Sequence, residues 1–399
     1  MITRLTVEAF KSLESVTIEP GQVNVFIGAN GSGKSNLLEA LGVLGAAAFG
    51  RVDDESLLRR GVRPGLPQLY KSAFAGGERK KSDHILFEAK SEGAAYRVSL
   101  WNPIKDARPA WQFKTEVLER GPKDKIFDRG PSADFNPEQG LAALRAVELK
   151  NGDAALKLLD DLRAYCIYCA NTPTLRGLTV DQQSREPIGL SGGRLAEAVS
   201  ELSDSPNRAI PYDKEADTPI EQIESLIDWA RSFGSAPSSD VPLSPSAAAP
   251  TRIVRFTDRF MAKGRNVLTG YDASEGALYV LFAAVLALHP KTPKCFALDN
   301  LDQALNPLLS MRLMEAFCQW ILKHKDPRQA FITVHNPTVL DGLPLTDDRA
   351  RLFTVDRDKL GRTVVRRVEL SEALRAKAAE GWTLSRLWVN GLIGGVPNV

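Results

Sequence analysis

The chain has 399 residues, and its 51 Lys and Arg against 49 Asp and Glu give a formal charge of +2. Hydrophobic residues make up 43% and charged residues 25% of the composition, a balance that predicts a globular fold and excludes a disordered protein. No apolar run approaches the roughly 18 residues of a membrane span, and the first residues lack the apolar core of a secretory signal, so we expect no membrane partner.

The first forty residues predict three strands and a helix. Polar and apolar residues alternate over residues 3–10 and, more loosely, over Leu13–Ile18, as they do in half-buried strands. Val23–Ile27 is more apolar and predicts a buried strand. A glycine-rich turn follows it directly, and an amphipathic pattern then predicts a helix over residues 36–44.

The middle of the chain falls into three predicted regions. Residues 82–127 contain short alternating runs separated by turn residues, which predicts an antiparallel sheet. Residues 137–233 carry helical periodicity, whereas residues 235–250 are mostly Ser, Pro and Ala and have no apolar period. The predicted division is an N-terminal lobe over 1–136, a helical insertion over 137–234, a flexible linker over 235–250 and a C-terminal lobe over 251–399.

Helices and strands alternate again in the C-terminal lobe. The pattern predicts a helix over residues 274–288, a strand at Cys295–Leu298, a helix over 309–323 and a strand over 331–334. A hairpin that turns at residues 359–361 follows, and a last helix leads into a glycine-rich tail. Strands that alternate with helices predict an α/β fold with a parallel sheet.

Residues 28–35 match the phosphate-loop pattern G-x-x-x-x-G-K-[ST] at every fixed position, between the predicted strand and helix. Glycines allow successive backbone N–H groups to face a phosphate, and the following helix adds the positive end of its dipole. Lys34 can reach the β- and γ-phosphates, and the Ser35 hydroxyl can bind Mg²⁺. The sequence therefore predicts a nucleoside triphosphate site. Its predicted nucleotide-binding residues are Gly28, Asn30, Gly31, Ser32, Gly33, Lys34, Ser35 and Asn36.

The C-terminal lobe supplies further candidate groups. An apolar strand ends in Asp299, whose carboxylate can hold Mg²⁺ or its water, so Ser35 and Asp299 form the predicted metal site. Upstream, Ser274 and Gly276 open a predicted helix, either as a second phosphate-binding terminus or as an ordinary helix cap. His335 follows the next strand, where an imidazole either reaches the γ-phosphate or is a structural residue.

In this order the segments resemble those of the ABC-type ATPases. Residues 2–41, 271–288, 295–307 and 331–340 resemble their Walker A, signature, Walker B with D-loop, and H-loop segments. The branch that they resemble holds RecF, the OLD-family ATPases and the structural-maintenance-of-chromosomes (SMC) heads. The resemblance implies an α/β P-loop NTPase of ABC-ATPase head type, with an antiparallel β lobe, a helical insertion, and ATP and Mg²⁺ as ligands.

The resemblance also implies a homodimer or a higher oligomer. Two heads would pack about a two-fold axis, with each ATP between the P-loop of one head and Ser274 of the other. ATP would then join the heads, and its hydrolysis would release them. Leu190-Ser191-Gly192-Gly193 is a competing signature candidate, but it lies much further upstream of Asp299 than signatures of this family do. We therefore interpret residues 189–199 as a glycine-led helix start or a plain turn.

Asn300 departs from the family pattern, in which the residue after the Walker B Asp is usually a Glu that activates water. An amide cannot accept a proton, and loss of a general base typically costs about 10²–10⁴ in rate. Asn300 could orient the water instead, Asp302 could act through a second water, or both could only shape the loop. The predicted catalytic residues are Asn300, Asp302 and His335, and we expect slow turnover.

Other assignments remain open at this point. Gln68 and Gln112 are candidates, on position only, for the family's Q-loop glutamine, and Lys11 either approaches the nucleotide or is an exposed lysine. Cys166 and Cys169 form a C-x-x-C pair. A structural zinc site needs four ligands, so we favour the interpretation that they are two small residues on one face of a helix. Only four cysteines in the chain exclude a disulfide scaffold and predict a reducing, cytoplasmic location.

Nucleic-acid binding would require a local basic face, because the net charge is close to zero. The basic clusters at residues 59–60, 79–81 and 366–367 lie far apart, and such clusters are more often solvated faces. The resemblance implies an ATP-driven dimeric switch in bacterial antiphage defence or DNA maintenance that acts with a separate protein effector. The alternative is a DNA-binding clamp whose ATPase gates closure; a transporter cassette has no clear place for the long insertion.

Overall fold

A computed structural model describes residues 1–75, 84–121, 124–130, 134–144, 152–204, 218–245, 250–369 and 371–395. The strands in these ranges are β1 (Ile2–Phe10), β2 (Leu13–Ile18), β3 (Val23–Ile27), β4 (Ile85–Ser91), β5 (Ala94–Trp101), β6 (Gln112–Arg120), β7 (Asp124–Arg129), β8 (Ile167–Tyr168), β9 (Ala230–Pro237), β10 (Arg252–Asp258), β11 (Val267–Thr269), β12 (Cys295–Leu298), β13 (Gln329–Thr333), β14 (Ala350–Arg357) and β15 (Thr363–Val368).

The α-helices in these ranges are α1 (Lys34–Phe49), α2 (Asp54–Leu58), α3 (Pro67–Tyr70), α4 (Ala154–Ala164), α5 (Thr172–Leu175), α6 (Leu195–Asp204), α7 (Pro219–Leu226), α8 (Glu275–Leu288), α9 (Pro307–Leu322), α10 (Glu372–Ala379) and α11 (Leu384–Val389). Short 3₁₀ helices occur at Leu141–Leu144, Ser238–Asp240 and Pro337–Gly342. Within the described ranges, no helix combines the length and the apolar character that crossing a bilayer requires.

The central sheet has the strand order β15-β14-β3-β13-β12-β8. Its strands pair in parallel from β14 to β8, and β15 is antiparallel to β14. β3 is buried along its whole length, with Val25 in one hydrophobic cluster and Phe26 in the other. Hydrophobic cores therefore cover both faces of the sheet, as parallel strands require. The carboxyl ends of β3, β13 and β12 meet at one edge, and ligands bind at such edges in α/β sheets.

The antiparallel sheet has the order β2-β1-β4-β5-β6-β7 and confirms the sheet predicted for residues 82–127, although residues 82–83 lie outside the described ranges. The two strands at the start of the chain belong to this sheet as well. Leu5 of β1, Leu41 of α1 and Phe331 of β13 share one hydrophobic cluster. α1 is thus buried between the antiparallel sheet and the central sheet.

α1 is longer than the helix predicted over residues 36–44. Small and apolar residues continue as far as Ala48 and are buried, so the helix needs no polar face. It ends at Gly50, which has a φ of 99° and donates its N–H to the carbonyls of Ala46 and Ala47. A glycine in this left-handed conformation is a common helix terminator.

The helical prediction for residues 137–233 was wrong at two places. α7 ends at Leu226, and β9 begins at Ala230 because it pairs with β10, with Phe233 opposite Phe256. β8 is a short edge strand of the central sheet rather than part of a helix. Helical periodicity cannot reveal these strands, because their partners are distant in sequence.

The predicted flexible linker over residues 235–250 begins too early. Residues 235–237 complete β9, and the Arg252 guanidinium donates to Ser235 Oγ at 3.1 Å. Residues 246–249 of that segment lie outside the described ranges. The lobe boundaries stay predictions, but β3 of the predicted N-terminal lobe lies between β13 and β14 of the C-terminal lobe, so both lobes share the central sheet.

Arg328 closes the carboxyl end of α8. Its guanidinium donates to the carbonyls of Leu286 at 3.2 Å, Ala287 at 2.8 Å and His289 at 2.6 Å, and the side chain is only 2% exposed. Burial lowers the pKa of Arg328 to about 10. The last carbonyls of a helix lack intrahelical donors. The Arg328 side chain supplies donors to two of these carbonyls and to the carbonyl of the residue just after the helix.

Arg328→Met should lower the free energy of unfolding by about 2–4 kcal/mol, because buried carbonyls lose charged donors. Denaturant unfolding at neutral pH measures this loss. Arg312→Met is the matched control, since Arg312 is exposed on α9, and it should change stability by no more than about 0.5 kcal/mol. An Arg328→Met protein as stable as the wild type would contradict this account of the helix end.

Candidate functional site

The loop between β3 and α1 lies tightly against the β14–β15 hairpin. Gly33 has a φ of 114°, and a Cβ there would lie 2.2 Å from Thr363 Oγ1. A Cβ on Gly28 would lie 2.1 Å from the carbonyl oxygen of Val355. Only glycine allows this close approach. The hairpin therefore fixes the shape of the phosphate loop.

The phosphate loop has donors without partners. α1 begins with neither a side-chain cap nor an acidic residue in its first turn, so its first N–H groups lack intrahelical acceptors. Ser32 Oγ is buried and has no hydrogen-bond partner among the described residues. Unpaired donors at the positive end of a helix dipole fit a bound phosphate.

Lys34 lies within the same loop. Its Nζ donates to the carbonyls of Gly28 at 2.7 Å and Ala29 at 3.2 Å, and the side chain is 5% exposed. Burial lowers the pKa of Lys34, and the negative charges of Asp299 and Asp302 oppose this shift. The nearby carboxylates thus help to keep a buried ammonium charged.

Asp299 is held through both carboxylate oxygens. Ser35 Oγ donates to Oδ2 at 3.3 Å, and Thr333 Oγ1 donates to Oδ1. Thr333 Oγ1 also accepts the backbone N–H of Asn300 at 2.9 Å. The two predicted metal ligands, Ser35 and Asp299, are therefore neighbours. Thr333 was not predicted, although a polar residue at the end of an otherwise apolar strand was visible in the sequence.

Asp302 is engaged with the loop that carries His335. The carboxylate is buried, and its Oδ2 accepts the backbone N–H groups of His335, at 2.7 Å, and of Asn336. This arrangement fits a positioning group better than a base that reaches water. His335 is exposed, and partial burial together with the charge of Lys34 lowers its pKa, so its imidazole is neutral at pH 7. Asn300 adopts a left-handed conformation with a φ of 60°.

Ser274 is the cap of α8, and its Oγ accepts from Ala277 N at 3.4 Å and from the Trp229 indole at 3.3 Å. Gly276 lies against the loop after β12, because a Cβ on it would be 3.6 Å from the Ala304 carbonyl oxygen. Within the part of the chain that the structure describes, no hydrogen bond joins Ser274 or Gly276 to the phosphate loop. Neither residue lines the cavity beside Asp299 or the cavity beside Gly28.

The competing glycine segment is already occupied by a carboxylate of the same chain. Asp181 is 8% exposed, and its Oδ2 accepts the N–H groups of Ser191 at 2.9 Å and of Gly193 at 3.2 Å. These donors are therefore paired internally. The assignment of Ser274 as the signature serine stays a prediction.

A cavity of about 550 Å³ adjoins Asp299. Gln182 and Gln183 line it, whereas the two glutamines proposed from the sequence, Gln68 and Gln112, do not. Gln68 is exposed on α3, and Gln112 is buried at the start of β6. The sequence did not single out Gln182 and Gln183, because only tertiary packing brings their loop beside Asp299.

Lys11 is not an exposed lysine. Glu39, which is 2% exposed, accepts hydrogen bonds from the Lys11 ammonium and from Arg63 Nε at 2.5 Å. Burial alone would raise the pKa of Glu39, but the hydrogen bonds and charges of Arg63 and Lys11 outweigh it and hold the pKa below its usual value. Arg63 also lines the cavity beside Asp299. This ion triad therefore borders the site from the β1 side.

The remaining motifs have structural explanations. Arg59 is exposed, as expected for a solvated face, whereas Arg60 is buried and donates to the carbonyls of Ser56 and Arg163. Residues 79–81 lie outside the described ranges. Cys166 and Cys169 flank the strand β8 instead of sharing a helix face. The described residues contain no group of three or more His, Cys, Asp or Glu that could hold a metal ion.

Glu39→Gln should lower the free energy of unfolding at pH 7 by about 1–3 kcal/mol. A carboxylate with a lowered pKa in the folded state stabilises above its unfolded pKa and loses that contribution as the pH falls through its folded value. Wild-type stability should therefore decline more steeply than that of Glu39→Gln below about pH 4.5. Denaturant titrations from pH 7 to pH 3 measure both effects.

Glu55→Gln is the matched control, because Glu55 pairs with Arg59 and both side chains are largely exposed. Surface pairs contribute only about 0–1 kcal/mol. Parallel acid profiles for Glu39→Gln and the wild type would contradict the assignment of a charged, buried Glu39.

Sequence and structure comparisons identify relatives of this chain. Residues 23–341 match the family AAA_21, described as "AAA domain, putative AbiEii toxin, Type IV TA system". The DNA replication and repair protein RecF of Rhodococcus erythropolis is 32% identical over 142 residues, which are 33% of this chain and 32% of the relative. RecF of Renibacterium salmoninarum is 44% identical over 107 residues, or 26% of each chain. The chain thus spans about a third or less of these relatives.

Two solved structures share the fold. An SMC head bound to the C-terminal winged-helix domain of ScpA has a TM-score of 0.53 at 15% identity, covering 94% of this chain and 99% of that one. An SMC head with an extended coiled coil, bound to the C-terminal domain of ScpA from Pyrococcus furiosus, has a TM-score of 0.52 at 13% identity, covering 96% and 99%. The chain therefore belongs to the AAA family named above and has the fold of an ABC-type ATPase head of the RecF and SMC branch.

Proposed function

We propose that this chain is an ATP-binding, slowly hydrolysing switch that dimerises through ATP. The Asp299 carboxylate accepts hydrogen bonds from Ser35 at the start of α1 and from Thr333 at the end of β13. This arrangement is the observation that carries the proposal. A P-loop serine and a strand-end carboxylate are the protein groups that hold Mg²⁺ beside the phosphates in P-loop ATPases. When bound there, Mg²⁺ would neutralise charge on the β- and γ-phosphates.

The other groups have distinct roles in this proposal. The unpaired N–H groups at the start of α1, the Ser32 hydroxyl and Lys34 bind the phosphates. His335 is neutral and exposed, so its imidazole can form a hydrogen bond with the γ-phosphate. Asp302 holds the His335 backbone in place. Asn300 orients the attacking water without accepting its proton, which keeps turnover slow.

The proposed dimer rests on Ser274, which lines neither cavity beside the phosphate loop of its own chain. Ser274 is exposed at the start of a 14-residue helix, where the helix dipole favours an anion. Arg176 donates to the carbonyls of Gly270 at 3.0 Å and Ala273 at 2.9 Å, which fixes the loop that leads to it. We infer that Ser274 completes the ATP site of a second copy, giving an isologous interface.

The biological setting is proposed from the relatives. RecF proteins are named for DNA replication and repair, and the family description names a toxin of a type IV toxin–antitoxin system. We therefore infer a role in DNA maintenance or antiphage defence, in which the ATP-bound dimer engages a separate protein effector. The SMC heads that share the fold were solved with a bound protein partner, ScpA.

A mixing experiment tests the shared site. Lys34→Ala removes the phosphate-binding ammonium and Ser274→Arg blocks the partner surface, so each protein alone should lose at least 90% of ATP turnover, about one decade (~1.4 kcal/mol) of transition-state stabilisation. In a mixture, one site per heterodimer combines an intact phosphate loop with an intact Ser274. Turnover should therefore recover well above that of either variant alone. A mixture no more active than its components would contradict the shared site.

Asn300→Glu tests the origin of slow turnover. A glutamate at this position supplies a general base, so the single-turnover rate should rise by about 10²-fold, the low end of what a positioned base contributes. Gln303→Glu is the matched control, because it adds the same charge on an exposed residue of the same loop and should leave the rate unchanged. An Asn300→Glu enzyme that is unchanged or slower would refute the role given to Asn300.

A further inference from the structure

The loop that joins β10 to β11, residues 259–266, exposes two large apolar side chains at consecutive positions. We call it the β10–β11 tip. Phe260 is 79% exposed and Met261 is 43% exposed. Aromatic residues and methionine are enriched at interaction sites, and leaving such side chains in water forgoes about 1.5–3 kcal/mol of burial for each. The exposed pair is therefore a candidate contact site.

The backbone of the tip is well defined. Asp258 Oδ1 accepts the N–H groups of Phe260 at 2.7 Å and Met261 at 2.9 Å, and Asp258 N donates to the Asn266 carbonyl at 2.8 Å. A further hydrogen bond joins Arg265 N to the Ala262 carbonyl at 3.0 Å. The apolar pair is thus presented by a closed turn, and a preorganised loop loses less entropy on binding.

Cations surround the tip. The exposed basic residues on it and on the adjoining strands are Arg231, Arg255, Arg259, Lys263 and Arg265. Residues 251–269 contain five basic residues and one acidic residue, although the whole chain is almost neutral. Within the described ranges, none of the exposed five forms an ion pair with a carboxylate.

Three nearby carboxylates offset only part of the charge of the five basic residues. The Asp258 carboxylate caps the turn, and Asp272 Oδ2 accepts the N–H of Thr269 at 3.1 Å. Asp228 is exposed at the base of the hairpin and contributes one negative charge. The patch therefore keeps an excess of positive charge around an exposed aromatic ring.

We propose that the β10–β11 tip binds single-stranded nucleic acid, with Phe260 stacked on a base and the surrounding cations on phosphates. Single strands offer both unstacked base faces and a line of negative charges, and proteins bind them with aromatic platforms in basic surroundings. In a duplex the base faces are covered by their neighbours, so Phe260 would have no stacking partner. The combination of an exposed ring with unpaired cations therefore favours a single strand.

Direct contacts lead from the tip to Ser274. Arg259 N donates to the Trp229 carbonyl at 3.1 Å, and the Trp229 indole donates to Ser274 Oγ at 3.3 Å. The Trp229 ring also packs on Phe256 of β10, with 5.2 Å between centroids. Binding of a nucleic-acid strand at the tip thus acts on the serine that completes the partner's ATP site. This coupling rests on the proposed function, whereas strand binding does not.

The first experiment measures binding of a fluorescent dT20 oligonucleotide by anisotropy, without nucleotide, across a salt series. We expect saturable binding that weakens with salt, and weaker binding to the corresponding duplex. Phe260→Ala should weaken dT20 binding about 5- to 150-fold, the loss of one base–aromatic stack. Lys263→Glu with Arg265→Glu should weaken binding and flatten its salt dependence.

Leu360→Ala and Lys359→Glu are matched controls at the other exposed hairpin turn, where Leu360 is 43% exposed, and both should bind dT20 like the wild type. Absence of dT20 binding at low salt, or equal loss in the control variants, would overturn the proposal. Binding to phosphatidylserine vesicles that depends on Phe260, without dT20 binding, would also overturn it and assign the tip to a membrane surface.

The second experiment measures ATP turnover with and without dT20. We expect the oligonucleotide to change wild-type turnover at least twofold, and Trp229→Phe, which removes the indole N–H but keeps a ring, to bind dT20 while losing that response. A Trp229→Phe protein with an intact response would overturn the coupling. Binding of dT20 by a wild-type protein without ATPase activity would refute the proposed function and leave the strand site standing.

Discussion

The carboxylate of Asp299 connects the parts of the molecule that the proposed chemistry requires. It stands at the end of β12, receives the Thr333 hydroxyl from β13 and the Ser35 hydroxyl from α1, and so ties two strands to the helix of the phosphate loop. This contact is possible only because β3, β13 and β12 are adjacent and parallel, which brings their carboxyl ends to one edge. The order of the central sheet is thus the constraint on which the site depends.

Backbone donors around the site follow a consistent pattern. Asp181 accepts backbone N–H groups near Ser191, and Asp302 accepts those near His335. Asp258 accepts those in the β10–β11 tip. Among the residues that the structure describes, no carboxylate caps the start of α1. Buried donors are normally paired, so the uncapped start of a 16-residue helix beside the buried Ser32 hydroxyl is a place where an external anion is expected. In the glycine segment at residues 189–193, Asp181 already accepts two of the backbone N–H groups.

Local sequence was sufficient for the phosphate loop, its flanking strand and helix, and Asp299, because fixed spacing and apolar patterning specify them. The contacts that orient these residues were not predictable in this way. Thr333 reaches Asp299 across 34 positions, and Arg63 reaches Glu39 across 24, so their pairing depends on how strands and helices pack. β9 was missed for the same reason, since its partner β10 lies beyond a segment rich in Ser, Pro and Ala.

The Mg²⁺ dependence of ATP affinity in Asp299→Asn tests the central claim most directly. The substitution keeps the size of the side chain but removes its charge, so the account predicts that ATP still binds without Mg²⁺ through the phosphate loop and that added Mg²⁺ no longer tightens binding. Titration of a fluorescent ATP analogue with and without Mg²⁺ gives both affinities. If Asp299→Asn gained as much affinity from Mg²⁺ as the wild type, Asp299 would not be part of the metal site and the account would be wrong.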